Sequence, residues 1–246
     1  MEALELVLIG FIVILAAGFI QGLTSFGFAL ISMPLLTKLI PITEAVPVIV
    51  ALSLITNLIV LKTTWRHIQL KKISLMIVSS LIAVPAGVWL LETVQPDKLK
   101  LFAGLLVVIF GILLLLGKAF PVQNEKIAFI PVGLTSGLLN GSISMSGPPV
   151  ALFLSNQGAD KQTFRANITV YGVVLNIITM TTYSFSGLLT AEVIRYTVWF
   201  VPGMLIGVIV GVAAIKRLND QTFRKLALYL IVLSGMWTVI SALNLV

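Results

Sequence analysis

Long apolar stretches alternate with short polar ones along the whole chain. A membrane-spanning helix needs about 20 apolar residues, and most of the apolar stretches approach that length. The pattern therefore predicts an all-α polytopic membrane protein. The apolar blocks lie at residues 4–21, 26–36, 46–61, 73–91, 99–116, 127–140, 145–155, 164–183, 194–215 and 226–246.

Three of these blocks are too short to cross a bilayer. At 1.5 Å per residue, blocks 127–140 and 145–155 reach only about 15–20 Å each. They meet at a polar break, so we predict two half-helices there, and block 26–36 is the matching short piece in the first half. Whether residues 4–21 span fully or form half of a hairpin stays open, which leaves six or seven crossings.

The two polar breaks resemble each other in sequence. The first reads Gly-Phe-Ile-Gln-Gly-Leu-Thr-Ser-Phe-Gly at 18–27, and the second reads Gly-Leu-Thr-Ser-Gly-Leu-Leu-Asn-Gly at 133–141 with Gly-Pro-Pro at 147–149. A duplicated break in a hydrophobic segment is typical of the substrate site of a transporter. We align Gly18 with Gly133, Gly22 with Gly137, Ser25 with Asn140, and Pro34 with Pro149.

This alignment predicts two repeats, at residues 1–120 and 121–246. Each repeat would hold three spanning helices plus a broken, re-entrant helical hairpin. Asn57 and Asn176 then occupy equivalent positions in the two repeats. Because three crossings are an odd number, the second repeat would be inverted relative to the first.

The distribution of basic residues predicts the topology. Cytoplasmic loops of membrane proteins are enriched in Lys and Arg, so we place loops 62–72 and 216–225 in the cytoplasm. If the second break is a re-entrant hairpin, 12 of the 16 Lys and Arg residues lie inside; if it crosses once, only seven do. The charges therefore favour the hairpin. We expect a multi-pass protein of the cell membrane, which would be a bacterial inner or plasma membrane.

Composition removes several classes of function. The chain is 59% hydrophobic and 10% charged, whereas soluble domains carry about 25% charged residues. The lipid bilayer is the expected partner. The basic residues that give the net charge of +7 lie in short loops between the spans, and the enrichment of Lys and Arg in cytoplasmic loops accounts for them without a nucleic-acid partner. We predict no enzyme, cofactor or metal site, because the spans hold no acidic residue and the chain has one histidine and no cysteine.

The breaks are the candidate binding site for a small anion. Half-helix starts present unpaired N–H groups and the positive end of the helix dipole, and the polar side chains nearby add donors. Arg165 is suited to bidentate recognition of an oxyanion, and the alternative is that it is one of the cytoplasmic positive charges. Asn57 and Asn176 are expected either to bind substrate or to link helices by hydrogen bonds. The predicted substrate-binding residues are Gln21, Thr24, Ser25, Asn57, Asn140, Ser142, Ser144, Ser146, Arg165 and Asn176.

Glycines and prolines of the breaks are expected to interrupt helices or to let them pack closely. A further glycine ladder at 203, 207 and 211 suits packing within a protomer or between protomers of a homo-oligomer. The residues assigned to breaking and packing are Gly18, Gly22, Gly27, Pro34, Gly133, Gly137, Gly147, Pro148 and Pro149.

At these two motifs the chain resembles the sulfite exporter TauE/SafE family of membrane transporters. Arg-Ala-Asn at 165–167 and Pro-Gly at 202–203, followed by the basic pair at 216–217, add to the resemblance. The resemblance implies export of a small sulfur-containing anion, sulfite or a C2 or C3 organosulfonate, by a secondary transporter with alternating access. An anion channel on the same scaffold, or a carrier for another small carboxylate or oxyanion, is the alternative.

Overall fold

The computed structural model describes residues 3–115 and 125–217, together with scattered positions between 219 and 243. Only scattered positions of the predicted span 226–246 are described, and in loop 216–225 the residues at 218, 220, 223 and 224 lie outside the described residues. The regular structure of the described part is helical, with a short 3-10 turn at Trp65–His67. Its α-helices are α1 (Ala3–Thr24), α2 (Phe28–Leu36), α3 (Ile42–Thr64), α4 (Leu70–Thr93), α5 (Pro96–Leu115), α6 (Glu125–Ile143), α7 (Gly147–Asn156), α8 (Lys161–Phe185) and α9 (Ala191–Ile215).

The predicted all-α membrane architecture is confirmed at the level of the helices. Among the described residues, five stretches are long and apolar enough to cross a bilayer: Glu5–Thr24, Ile42–His67, Leu70–Thr93, Lys161–Phe185 and Ala191–Ile215. Helix α6 is longer than the predicted half-helix 127–140, because Glu125 and Lys126 interrupt the apolar pattern but not the helix.

Both helix breaks are caused by a serine in the left-handed backbone region. Three residues separate α1 from α2, and three separate α6 from α7. Ser25 has φ 70° and Ser144 has φ 60°, a conformation that an L residue cannot continue as a right-handed helix. The break glycines are therefore not the residues that turn the chain.

The structure corrects the predicted register between the breaks by four residues. Ser25 is equivalent to Ser144, not to Asn140, because each serine holds the left-handed position three residues before the next helix. Gln21 and Asn140 then correspond, each four residues before its serine. The glycines at 133, 137 and 141 repeat at nearly one helical turn, so a shift of four keeps the same face and the glycine pattern could not fix the register.

The first helix of each broken pair packs in parallel along a distant helix. Helix α1 lies on α9, where Gly18 faces Met204 and Gly22 faces Val212. Helix α6 lies on α4 in the same way, with its glycines facing successive turns of α4. A Cβ atom on Gly22 would lie 2.7 Å from the Val212 nitrogen, so only glycine allows the backbones to approach this closely.

Helices α3 and α8 cross the centre of the molecule in antiparallel directions. Asn57 of α3 packs against Gly172, and the Gln69 N–H, beyond the end of α3, donates to Asn167 Oδ1 at 2.8 Å near the start of α8. Large apolar side chains such as Ile12, Ile82 and Ile209 are exposed on the outer helices. The outer faces therefore suit lipid, and the buried polar groups lie between the helices.

Candidate functional site

Gln21 closes the first break with three hydrogen bonds. Its Oε1 accepts from the Phe28 N–H at 2.9 Å, and its Nε2 donates to the Ser25 carbonyl at 3.1 Å and to Asn57 Oδ1 at 2.6 Å. One side chain therefore connects both sides of the break to α3. Because an amide nitrogen has two donors, Gln21 has no spare N–H for a ligand in this conformation.

Asn140 occupies the same position at the second break and binds α8. Its Nδ2 donates to Asn176 Oδ1 at 3.2 Å and to Thr179 Oγ1 at 2.7 Å. The Tyr183 hydroxyl donates to the Gly141 carbonyl at 2.8 Å. We call Asn140, Asn176, Thr179 and Tyr183 the α6–α8 cluster. Both breaks are thus tied to a buried asparagine of the next long helix.

A cavity of about 20 Å³ lies between the two breaks. One water molecule needs about 10–15 Å³ of such space, so the cavity is too small for a sulfonate in the described conformation. None of the described residues at its wall is acidic. The polar and break residues at its wall are Gln21, Ser25, Ser53, Asn57, Ser144, Ser146, Gly147, Pro148, Tyr171 and Gly172.

Two serine hydroxyls at the wall have no partner among the described residues. Ser25 Oγ and Ser144 Oγ are buried, and neither makes a hydrogen bond. The Tyr171 hydroxyl also lacks a hydrogen bond of normal geometry, but it lies beside the side chains of Ser80 and Ser136, which do not line the cavity. A buried hydroxyl without a partner costs free energy, so the two serine hydroxyls are available to a ligand that accepts hydrogen bonds.

The two breaks touch each other at Phe26 and Gly147. A Cβ atom on Gly147 would lie 2.8 Å from Phe26 Cβ and 2.9 Å from the Phe26 carbonyl oxygen. Glycine at 147 therefore lets Ser25 and Ser144 approach the same cavity from opposite broken pairs. Among the described residues, no group of His, Cys, Asp or Glu side chains could hold a metal ion.

The structure divides the predicted site residues into two sets. The Thr24 hydroxyl donates to the Ile20 carbonyl and the Ser142 hydroxyl to the Leu138 carbonyl, both at 2.8 Å within their own helices. Asn140, Asn176 and Arg165 also lie outside the cavity wall. The predicted residues that do line the cavity are Gln21, Ser25, Asn57, Ser144 and Ser146.

The backbone donors available at the half-helix starts are fewer than the sequence predicts. The Phe28 N–H at the start of α2 already donates to Gln21. Helix α7 begins Gly-Pro-Pro, and proline has no N–H to offer. Side-chain hydroxyls therefore add free donors to the N–H groups that remain at the half-helix starts.

Sequence reasoning missed Tyr171, which lines the cavity from α8. It lies on α8 near Ile168 and Gly172, which also line the cavity, but about 120° around the helix from the face that carries Arg165 and Asn176. The buried polar face of α8 therefore gives no signal for Tyr171. Ser53 of α3 was also missed, although it lies one helical turn before Asn57.

Comparison with known proteins agrees with the resemblance found at the two breaks. The family model described as sulfite exporter TauE/SafE matches residues 10–238. A protein of Cupriavidus necator named "Probable sulfite/organosulfonate exporter TauE" is 25% identical over 231 residues, which cover 91% of this chain and 90% of that protein. No solved structure gives a significant match. This chain is a multi-pass membrane protein that belongs to the sulfite exporter TauE/SafE family.

Proposed function

We propose that this protein is a secondary transporter that exports a small sulfur oxyanion, sulfite or a C2 or C3 organosulfonate, and binds it between the two breaks. One observation carries the proposal: two buried serine hydroxyls without described partners face one cavity whose described wall holds no acidic side chain. The family suggests export of sulfite or organosulfonates, and the Cupriavidus necator relative carries that name.

The donors around the cavity suit a sulfur oxyanion better than a carboxylate. Ser25 and Ser144 offer two buried hydroxyls from opposite breaks, and the three oxygens of sulfite or a sulfonate point in more directions than the two oxygens of a planar carboxylate. Each unfilled buried hydroxyl weakens binding of a ligand that cannot reach it. We therefore expect the cavity to discriminate by the geometry of the acceptors as well as by charge.

Helix directions support a re-entrant hairpin at the first break. Helices α8 and α9 are both long enough to span and are joined by a short turn at 186–190, so in a membrane they would run in opposite directions. Because α1 is parallel to α9 and α3 is antiparallel to α8, α1 and α3 run in the same direction. The nine-residue helix α2 must then lead the chain back between them.

The same argument applies to the second break and supports inverted repeats. Helix α6 is parallel to α4, and α4 is antiparallel to α3 because they are joined by a short turn. Helices α6 and α8 therefore also share a direction, opposite to that of α1 and α3. This relation fits two inverted repeats at 1–120 and 121–246, with six net crossings once the predicted last span is included.

The orientation in the cell membrane follows from one hydrogen bond and the basic loops. The Gln69 N–H donates to Asn167, so loop 62–72 and the start of α8 lie on the same face. Because Lys and Arg concentrate on the cytoplasmic side, we place both ends there. The start of α8 would lie on the opposite face if the second break crossed the membrane once.

A cavity that is too small for the anion in the described conformation favours a carrier over an open channel. Alternating access would open this cavity to one face at a time by rocking one repeat against the other. Each repeat contributes the long helix on which the hairpin of the other repeat packs, α9 for α1 and α4 for α6. Rocking would therefore move the first break together with the second repeat and the second break together with the first repeat. This movement would separate Ser25 from Ser144.

Thermal unfolding of the purified protein in detergent tests the proposed substrate. The anion panel holds sulfite, sulfate, thiosulfate, C2 and C3 sulfonates and carboxylates of matching size. A ligand that binds only the folded state raises its stability by mass action, so we expect stabilisation by sulfite or a sulfonate and less by carboxylates. Equal shifts with carboxylates would contradict sulfur specificity, and no shift with any anion would contradict the proposed site.

A further inference from the structure

Helix α8 carries a stripe of buried polar side chains that extends beyond the central cavity. Residues 165, 169, 176, 179 and 183 fall on one helical face, and all are buried. The last three belong to the α6–α8 cluster, and Gly172 lies at the cavity wall. Arg165 and Thr169 remain, and neither lines the cavity nor belongs to the cluster.

The Arg165 guanidinium is buried with one end unpaired. Only 2% of the residue is exposed. Its Nη1 donates to the Leu23 carbonyl at 2.6 Å, and its Nη2 has no hydrogen-bond partner among the described residues. Leu23 lies in the last turn of α1, where the helix dipole attracts a cation. One carbonyl satisfies one donor of a group that has five, so the guanidinium retains capacity to bind an anion.

Thr169 is unusual among the threonines of α8. Threonine hydroxyls inside helices commonly donate to the carbonyl four residues earlier, and Thr181 and Thr182 do so at 2.9 Å. Thr169 is fully buried, yet its Oγ1 has no partner among the described residues. Because residues four apart are neighbours on a helix surface, two side chains with unused donors start from adjacent positions on one face of α8.

This pair lies next to the central cavity along α8. Thr169 precedes Gly172 by about 4–5 Å and Arg165 precedes it by about 10 Å, at 1.5 Å per residue. The ring of Phe26, which lines the cavity, packs edge-on against Phe164 with centroids 6.2 Å apart. An aromatic pair therefore lies at the end of the cavity nearest Arg165.

We infer that Arg165 and Thr169 form a second binding position for the oxyanion, on the α8 N-terminal side of the central cavity. The inference rests on the proposed function. The guanidinium is the one fixed charge among the described side chains of this stripe, and the hydroxyl supplies a neutral donor beside it. In the proposed orientation the position faces the cytoplasm, so an exported anion binds here before it reaches Ser25 and Ser144.

Sulfite titrations of matched variants test the inference. Binding is measured by thermal stabilisation, and transport in vesicles gives the KM and the maximal rate. We expect Arg165→Met to raise the sulfite Kd about 10- to 100-fold, because it removes a charge-assisted donor, and Thr169→Val to raise it about 3- to 10-fold. Thr169→Ser should restore the affinity. Controls are Thr182→Val, whose hydroxyl is bonded within α8, and Arg66→Met, an exposed loop arginine.

The outcomes separate this position from the central site. Wild-type affinity in both Arg165→Met and Thr169→Val, with affinity lost in Ser144→Ala, overturns the second position and leaves the proposed function intact. An equal loss in Thr182→Val, or no rescue by Thr169→Ser, would show general damage to α8 and also overturn it. No sulfite binding by the wild type overturns the proposed function and this position with it.

Discussion

Glycine at positions 25 and 144 is expected to stabilise the protein while it weakens anion binding. Both serines have a positive φ, 70° and 60°, and the left-handed region costs an L residue roughly 1–2 kcal/mol. Glycine avoids this cost but loses roughly 0.4–1 kcal/mol through a more flexible unfolded chain. The net gain is about 0.5–1 kcal/mol per site, which raises the melting temperature by about 1–4 °C.

Alanine variants separate backbone strain from the hydroxyl. Ser25→Ala and Ser144→Ala keep the left-handed cost and remove a buried hydroxyl that bonds no described group, so the melting temperature without ligand should stay the same or rise. Ser136 is the matched control, because its hydroxyl donates to the Ser146 carbonyl across the second break at 2.7 Å. Ser136→Ala should therefore lose roughly 0.5–1.5 kcal/mol.

The assay is thermal unfolding in detergent, first without anion and then with a sulfite titration. The reasoning predicts a higher melting temperature for each glycine variant than for the matching alanine variant, no decrease for the alanine variants, and weaker sulfite binding for all four. A lower melting temperature for Ser25→Gly and Ser144→Gly would refute the strain argument. Wild-type sulfite affinity in these variants would remove the two serines from the site.

Three further predictions concern packing, capping and the buried asparagines. Gly141→Ala should destabilise the protein by about 1–3 kcal/mol in thermal unfolding, because the new Cβ would lie 2.9 Å from the Val88 nitrogen. Asp160 caps α8, and a hydrogen bond from Thr163 lowers the pKa of its carboxyl; Asp160→Ala should destabilise by about 0.5–2 kcal/mol and Asp160→Asn by less. The stabilisation that comes from the charge of the Asp160 carboxylate is present above the ordinary carboxyl pKa and is lost as the pH falls through the lowered pKa of the folded state. The difference in stability between the wild type and the Asp160→Asn variant should therefore vanish when the pH is lowered. Asn57→Ala should weaken transport more than Asn176→Ala, in vesicle assays on folded protein, because Asn57 lines the cavity and Asn176 does not.

The positions of the breaks could be predicted from sequence because polar residues mark them in the hydropathy pattern. Polar residues and the Gly-Pro-Pro motif interrupt apolar sequence, and the short helices Phe28–Leu36 and Gly147–Asn156 begin within two residues of the predicted blocks. The length of α6 could not be read in the same way. Charged residues at its start end an apolar block, but they are good helix formers.

The register between the breaks could not be fixed from glycine spacing. Glycines at 133, 137 and 141 recur at nearly one helical turn, so Gly18 and Gly22 match two different pairs on the same face. The backbone conformation of Ser25 and Ser144 decides between them. Residue type gives little indication of that conformation, because a serine seldom adopts a positive φ.

The orientation of each polar side chain is the other feature that could not be predicted from the sequence. Thr24, Ser25 and Ser142 are similar hydroxyl residues of the breaks, yet Thr24 and Ser142 donate to their own helices, and of the three Ser25 alone faces the cavity without a described partner. Such local hydrogen bonds depend on the rotamer and the neighbouring backbone. A tyrosine in a long apolar helix, such as Tyr171, gives no signal in the sequence.

The central claim is that this protein carries a sulfur oxyanion by alternating access at the cavity between Ser25 and Ser144. Counterflow of labelled sulfite and of a C2 sulfonate in vesicles that contain the purified protein tests it most directly. The account predicts saturable uptake that is stimulated by unlabelled anion inside the vesicles and is strongly reduced in the Ser25→Ala, Ser144→Ala double variant. Flux that rises in proportion to concentration without stimulation, or equal flux in the double variant, would contradict it.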